Sequence, residues 1–443
     1  MSGVVDYAPV TSGTAIRPMA VSSVASSGVC VRGPALEINL LSAPTGEVAL
    51  SPKITFARAS TGTYVGSTGV INTAAVDVPR FDYDPITLAL KGLLIEKAST
   101  NLVLFSDQIN NVAWVKAGGT VTTDATTAPD GTVSAELLVE DTSTGGHSVT
   151  QSIVGLPDST VYTVSAYVKP NSRSWIAVSF ADKANVNNRV WYNITTGTQG
   201  TTNGTVTAFS AVAAGNGWYR ISVSASTGTG VSVPALRFSL GSADNTASYT
   251  GNGTSGAFIW GTQVELGAFS TSYIPTTATS VARAADLPVI SGTNFSSWFN
   301  ATAGTMVVEG LTPAGLSTSP VTGGAFSNGS LTNNNVMTMY ATASTFAATI
   351  KVGGVAAGTD PTVSVTAAAG SLYKHALAYT ATSAVVAANG KIGTAQAMSS
   401  LPTVSEFRVG NAGAGTGQTT AWVRRITYFP YLMSNASIAA MTT

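Results

Sequence analysis

Charge is what this sequence has least of. Only 9% of its 443 residues are Asp, Glu, Lys or Arg, against about 25% in ordinary globular chains. Lys plus Arg and Asp plus Glu stand at 21 each, so the formal net charge is zero. A nucleic-acid binder displaces counterions from phosphates with clustered cations, and scattered ones on a neutral chain exclude that class. Cysteine is nearly absent. Cys30 stands alone, which excludes an intramolecular disulfide framework and a Cys-rich zinc site. Histidine occurs only at 147 and 375. His375 falls within an alternating strand pattern and His147 after a Gly-Gly turn, so neither opens a Ser-His-Asp arrangement, and no nucleophile-elbow motif precedes a helix. No apolar run reaches the ~20 residues of a bilayer span, so membrane insertion is not expected. The opening MSGVVDYAPVTSGTAIRP has neither the basic start nor the apolar core of a secretory signal.

What is present is hydrophobic, hydroxyl-rich and punctuated by glycine. Hydrophobic residues make up 44% of the chain, Gly numbers 45, and Ser plus Thr fill about a quarter. Such a chain can bury a core and is not typically disordered. A neutral surface also invites self-association. Short alternating segments recur about every 8–12 residues between Gly, Asn and Pro turns. From 101 to 285 they include VYTVSAYVKP (161–170), SWIAVSF (174–180), RVWYNI (189–194), GWYRISVSAS (217–226), PALRFSL (234–240) and AFIWGTQVEL (257–266). From 286 to 443 they include TMVVEGL (305–311), MTMYAT (337–342), FAATIKVG (346–353), YKHALAYTA (373–381), SAVVAANGKIG (383–393) and AWVRRITYFP (421–430). Asn389-Gly390 signals a two-residue hairpin. One short helix is expected at the end, where Ser434 can cap ASIAAM.

The predicted fold is all-β: an extended N-terminal arm over 1–50, a β-rich connecting segment over 51–100, a jelly roll over 101–285 and a second β-sandwich over 286–443. The arm reading rests on AVSSVASSGVCV (20–31), too small and apolar for a solvated tail and too short to bury surface alone. The boundary near 275–290 follows from the extended Pro275-Thr276-Thr277 stretch and from Asp286-Leu287-Pro288.

Chemistry is thinly signalled. Glu136, Glu140, Glu265, Glu309 and Glu406 are the scarce carboxylates from which a glycosidase pair would be drawn, with Glu265 and Glu309 foremost, but no two form a motif. Gly410-Asn411-Ala412-Gly413-Ala414-Gly415 lies between predicted strands, with no helix N-terminus to hold a phosphate. No Ca²⁺ loop motif is present, and no cofactor is expected. Aromatic side chains are the remaining lead. Trp218, Trp260 and Trp422 sit mid-strand among apolar residues and read as core, whereas Trp175, Trp191 and Tyr192 border loops and are the candidate glycan contacts.

The run ITFARASTGTYVGSTGVINTAAVDVPRFDYDP, followed by GLLIEKASTNLVLFS and NVAWVK, resembles a segment recurrent in tailed-bacteriophage appendage proteins. The resemblance continues at GWYRISVSAS and at IWGTQVELGAFSTSYIPTTATSVARAAD (259–286), which looks like the closing strand of a carbohydrate-binding-module-like jelly roll. YKHALAYTATSAVVAANGKIGTA with AWVRRITYFPYLMSNASIAAMT resembles a concanavalin A-like/laminin G-like sandwich. The resemblance implies a structural virion protein of tail-fibre, tail-spike or head-fibre type, not an enzyme. Residues 1–50 would attach it to other virion proteins, a host-surface glycan would be its target, and it would be a homotrimer. It transfers no catalytic residues. Laminin G-like domains often hold Ca²⁺ at one rim, although no acidic set for it is evident here. Two other readings stay open: a capsid or tail cement protein whose sandwiches bind neighbouring subunits, and a secreted lectin-like adhesin.

Overall fold

A computed structural model describes residues 33–41, 49–312, 323–330, 334–342, 344–366, 368, 370–411 and 421–443. The 20–31 stretch, Cys30 and most of the 410–415 loop lie outside the described residues. The fold is nearly all β, with antiparallel sheets stacked as sandwiches. Its two helices among the described residues are Thr293–Ser296 and Asn435–Thr442, the latter capped by Ser434, whose side chain accepts from Ser437 N at 3.2 Å.

The jelly roll stacks two six-stranded sheets. One runs Thr198–Asn203, Asn187–Asn193, Trp175–Ala181, Ala235–Gly241, Ser148–Ser152, Val115–Ala117. The other runs Val206–Ala213, Tyr219–Ser226, Val161–Asn171, Gly256–Leu266, Val133–Glu140, Gly119–Thr127. Alternation fixes the inward face: Tyr162, Val164, Ala166 and Val168 from one sheet meet Ile176, Val178 and Phe180 from the other in one apolar core.

The second sandwich is built from both ends of the chain. Its larger sheet runs Lys391–Ile392, Ser383–Ala388, Leu372–Thr380, Ala303–Leu311, Ala421–Phe429, Leu90–Ile95, Arg80–Tyr83, with Leu36–Asn39 also paired to Ala421–Phe429. Its smaller sheet runs Val289–Ser291, Glu406–Val409, Gly324–Ser327, Val336–Ala341, Thr345–Val352, Val355–Ala356. Leu36 and Ile38, which the sequence places in an arm, are buried in this core and pair with Tyr428 and Ile426. Leu93 and Ile95, assigned to a connecting segment, lie in the same core. The physical reason is that an isolated four- or six-residue apolar strand cannot bury itself, and the sheet edge offered by 421–429 supplies the missing partner. Gly92, at φ +129°, makes this pairing feasible, because a Cβ there would meet the Val423 carbonyl at 2.5 Å. Asn389 and Gly390 both take positive φ in the expected hairpin, closing Ala388 against Lys391.

A buried charge network joins the connecting segment to the strand that leaves the jelly roll. Arg58 Nη1 reaches Asp286 Oδ1 at 3.2 Å, and Arg80 Nη1 reaches Glu96 Oε2 at 2.7 Å while its Nη2 donates to Asp286 Oδ2. Arg283 Nη2 lies 3.5 Å from Glu96 Oε2 and donates to the Lys97 carbonyl at 2.7 Å. Glu96 also accepts from Ser272 N at 2.7 Å and Ser272 Oγ at 2.6 Å. All five charged side chains are essentially solvent-free. They fall in ITFARAS, VPRFDYDP, GLLIEKAS and SVARAAD, the segments that carry the resemblance. Burial pushes Glu96 up, but Arg283, Arg80 and the Ser272 donors outweigh it and hold the carboxyl at about 2.

Candidate functional site

The two outer faces of the jelly roll have different fates. On the sheet containing Val161–Asn171, the outer residues Tyr167, Trp218 and Trp260 are buried together with Tyr273 of another segment, and half-buried Ile71 packs against them. Trp260 and Tyr273 rings lie 4.6 Å apart, and Thr63 Oγ1 donates to the Tyr273 carbonyl at 2.5 Å. That face is closed by the rest of the chain.

The face of the other sheet is partly exposed: Arg237 and Val115 are exposed and Arg189, Thr150 and Trp175 half-buried, whereas Ala177, Ser179 and Ser239 are buried. Because Ile176, Val178 and Phe180 enter the core, Trp175, Ala177 and Ser179 point away from it. By the same alternation Arg189 and Trp191 oppose Val190 and Tyr192, and Arg237 and Ser239 oppose Leu236 and Phe238. Register then sets Asn203, Arg189, Ser179, Arg237, Thr150 and Val115 in one row across all six strands. Arg237 is exposed, and Val115 at the row's end is 67% exposed.

This row brings two like charges near each other in a charge-poor chain. Arg58, Arg80, Arg173, Arg283, Arg408 and Arg424 each lie against a carboxylate. Arg189 and Arg237, like Arg220 and Arg425, lie in no ion pair among the described residues, and of these four only Arg189 and Arg237 share a row. Arg237 Nε donates to Thr150 Oγ1 at 3.0 Å. Arg189 Nε, Trp191 Nε1 and Asn203 Oδ1 are buried atoms without a hydrogen-bond partner. Burial, and then the like charge of Arg237, lower the affinity of the Arg189 guanidinium for its proton.

The three candidate glycan contacts do not act together. Tyr192 points into the core, and its hydroxyl donates to the Ser222 carbonyl at 2.6 Å. Trp191 is on the outer face but fully buried, packed close to Gly241 on the strand that leads into the 242–246 turn. Asp244 of that turn accepts from Thr201 N at 2.9 Å and Thr201 Oγ1 at 2.8 Å, tying it to the edge strand. Only Trp175 of the three is partly exposed. Loop proximity in the sequence misplaced Trp191 and Tyr192, because neighbouring residues of one strand point to opposite faces and long-range packing decides which is covered. Arg189 and Arg237 escaped notice for a related reason. They are far apart in the chain, and only strand register brings them into one row.

The histidines and carboxylates are engaged elsewhere. His375 is buried beside Phe346, neither ring nitrogen has a partner, and burial pulls it down to about 3. His147 Nδ1 and Nε2 face the carbonyls of Gly118 at 2.5 Å and Tyr249 at 3.2 Å. Glu140 is clamped by Arg173 at 2.5 Å and by the Tyr249 hydroxyl at 2.7 Å. Glu265 accepts from Ser99 Oγ at 2.6 Å and Thr271 N at 2.9 Å. Glu406 accepts from Ser327 Oγ at 2.8 Å, and Glu309 lies 3.9 Å from Arg424. Glu136 accepts from Asn110 N at 2.7 Å, and burial pushes its carboxyl up to about 7. Trp218 and Trp260 are core, as expected. Trp422 is only half-buried, with Nε1 donating to Asp82 Oδ2 at 2.8 Å and Lys91 Nζ 3.4 Å from its ring centre. Among the described residues no three His, Cys, Asp or Glu side chains gather as a metal-ligand set. None of the described helices is long and apolar enough to cross a membrane.

No family model and no curated protein matches the chain. Solved structures similar to parts of it include the Ruminococcus gnavus IT-sialidase CBM40 bound to α2,3 sialyllactose. That likeness has 16% identity, a TM-score of 0.26, and covers 32% of this chain and 84% of the other. The receptor-binding domain of botulinum neurotoxin C/D mosaic serotype has 9% identity, a TM-score of 0.27 and coverages of 36% and 40%. The enzymatically active domain of bacteriophage CBA120 tailspike protein 4 has 15% identity, a TM-score of 0.25 and coverages of 38% and 21%. At such scores these likenesses carry nothing about function.

Proposed function

We propose that the chain is a non-enzymatic structural component of a bacteriophage particle, an appendage whose sandwiches contact carbohydrate on the host surface. The observation that carries this reading is where the polar side chains go. The residues of the phage-like segments, Arg58, Arg80, Glu96, Arg283 and Asp286, form a solvent-free brace between segments. Of the carboxylates available for glycoside cleavage, Glu140, Glu265 and Glu406 are hydrogen-bonded to structural partners, and Glu309 lies 3.9 Å from Arg424. A molecule built this way suits rigid display of a surface more than turnover. The partly exposed outer face of the jelly roll's sheet, carrying Arg189, Arg237, Thr150 and Val115, is the surface on offer. Attachment to other virion proteins would fall to the N-terminal residues preceding Leu36, with the strand Leu36–Asn39 anchoring that segment in the second sandwich. Assembly as a trimer and residence in the virion belong to the same proposal.

A cement role is the second reading. It is favoured by large apolar side chains left bare on the jelly roll, Val112, Val154 and Val231 among them, which a neighbouring subunit would cover.

Cryo-EM of the particle that carries the chain tests both. Density for the N-terminal residues within a portal, tail or capsid subunit, with the jelly roll projecting into solvent, is the expected result. Sandwiches laid flat against neighbouring subunits would select the cement reading. Absence of the chain from purified particles would overturn both.

A further inference from the structure

We propose that the partly exposed arginine row on the outer face of the jelly roll binds a carboxylate-bearing saccharide, its acid group held by Arg189 and Arg237; the proposal rests on the carbohydrate reading above. The two arginines flank Ser179 on the central strand of the row, one strand away on either side. At ~4.8 Å between strands their Cα atoms stand about 10 Å apart, a span that two arginine side chains close from both sides. Like charges held near each other without a carboxylate leave the fold with an unanswered positive field. An arginine fork matches a carboxylate with two parallel hydrogen bonds, so an acid group is the chemistry that answers it. The same row supplies the partly exposed Thr150 hydroxyl and an amide from Asn203, whose Oδ1 lacks a donor, while Ser179 between the arginines is buried. These suit the hydroxyls of a sugar ring. Trp175 lies four residues along from Ser179 on the same face and strand, about 13 Å away, and its partly exposed ring offers a stacking surface for a further sugar unit.

The test is a glycan array and titration using uronic- and sialic-acid oligosaccharides, their methyl esters and their neutral counterparts. Methyl esterification keeps the ring and removes the charge. Wild-type chain is expected to bind the free acids and not the esters, and to lose affinity as salt rises. Arg189→Ala and Arg237→Ala should each weaken binding on the order of tenfold or more. Arg189→Lys should fall between, because it keeps charge but loses the fork. An unchanged thermal midpoint in the same variants separates lost recognition from lost structure. Binding of esters or neutral sugars with the arginine variants unaffected would overturn this proposal and leave the carbohydrate reading standing. Failure of the wild type to bind any sugar on the array would overturn both.

Discussion

Arg58 and Asp286 stand 228 positions apart in the chain, yet their side chains meet at 3.2 Å with no access to solvent. Asp286 also accepts from Arg80 and from Glu96 N, the latter at 2.8 Å, so one carboxylate holds three segments in place. Removing it leaves the Arg58 guanidinium buried without its counter-charge and Arg80 with Glu96 alone. Asp286→Ala is therefore expected to destabilise the protein by about 3–5 kcal/mol. It should also separate unfolding of the jelly roll from that of the second sandwich, since the brace couples them. Differential scanning calorimetry reads both effects. One cooperative transition at an unchanged midpoint would sink the idea.

Three buried groups with large shifts contribute to the acid response. His375 is held at about 3 against 6.5 for the free side chain, so the native state resists a proton that the unfolded chain accepts. Its contribution is complete above pH 6.5 and is lost as pH falls toward 3, by up to ~1.4 kcal/mol per unit. Glu96, at about 2 against 4.5, contributes in the same sense below pH 4.5. Glu136 runs the other way. At about 7 against 4.5 it keeps a proton that the unfolded chain loses, so stability declines as pH rises from 4.5 to 7. From these three groups, His375 and Glu136 nearly cancel between pH 4.5 and 6.5, whereas His375 and Glu96 add below 4.5. Urea midpoints should be level across the first window and fall steeply beneath it. Glu136→Gln should turn the level stretch into a rise with pH, and His375→Leu into a fall. Parallel curves for wild type and both variants would contradict the assignment.

Much of this architecture was legible in the chain. The strand of Val161–Asn171 follows directly from its alternation, and Ser434 marks the last helix. The second sandwich was legible only in its C-terminal share. Leu36–Asn39 and Leu90–Ile95 carry too few residues for a local pattern to show what they pair with, and the answer lies more than 300 residues away, at Ala421–Phe429. The charges of ITFARAS and SVARAAD were visible as part of a resemblance, but not as a network, because each needs its partner's fold position. The arginine row was half legible. RVWYNI shows that Arg189 and Trp191 share a side and that Val190 and Tyr192 share the other. It cannot show that the 242–246 turn is tied down by Asp244 at Thr201, nor that Arg237 lies two strands along.

The split between Trp191 and Trp175 predicts opposite mutational behaviour. Trp191 is wholly enclosed, so Trp191→Ala should cost about 3–5 kcal/mol through the cavity it opens. Tyr192→Phe removes only the 2.6 Å bond to the Ser222 carbonyl and should cost about 1 kcal/mol. Trp175→Ala is expected to cost less than Trp191→Ala, because part of its ring is already in water. Chemical denaturation of the three variants ranks them. A Trp175 variant as unstable as the Trp191 one would mean that Trp175 is structural and would remove it from the proposed binding face.

The strand Leu36–Asn39 supplies the last prediction, because it ties the N-terminal region to the far end of the chain. Ile38 is 3% exposed and pairs with Ile426, while Glu37 beside it is exposed. Ile38→Ala removes buried methyl and methylene groups and should destabilise the second sandwich by about 2–5 kcal/mol. Glu37→Ala, on the opposite face of the same strand, should change stability by less than about 0.5 kcal/mol. Hydrogen exchange adds a spatial readout. In the Ile38 variant, protection should drop first at 425–428, the residues facing that strand across the ladder. Protection in 161–171 should stay at the wild-type level, since that strand belongs to the other core. If Ile38→Ala and Glu37→Ala were equally mild, the N-terminal strand would be a loosely held addition rather than part of the sandwich, and anchoring through it would have to be abandoned.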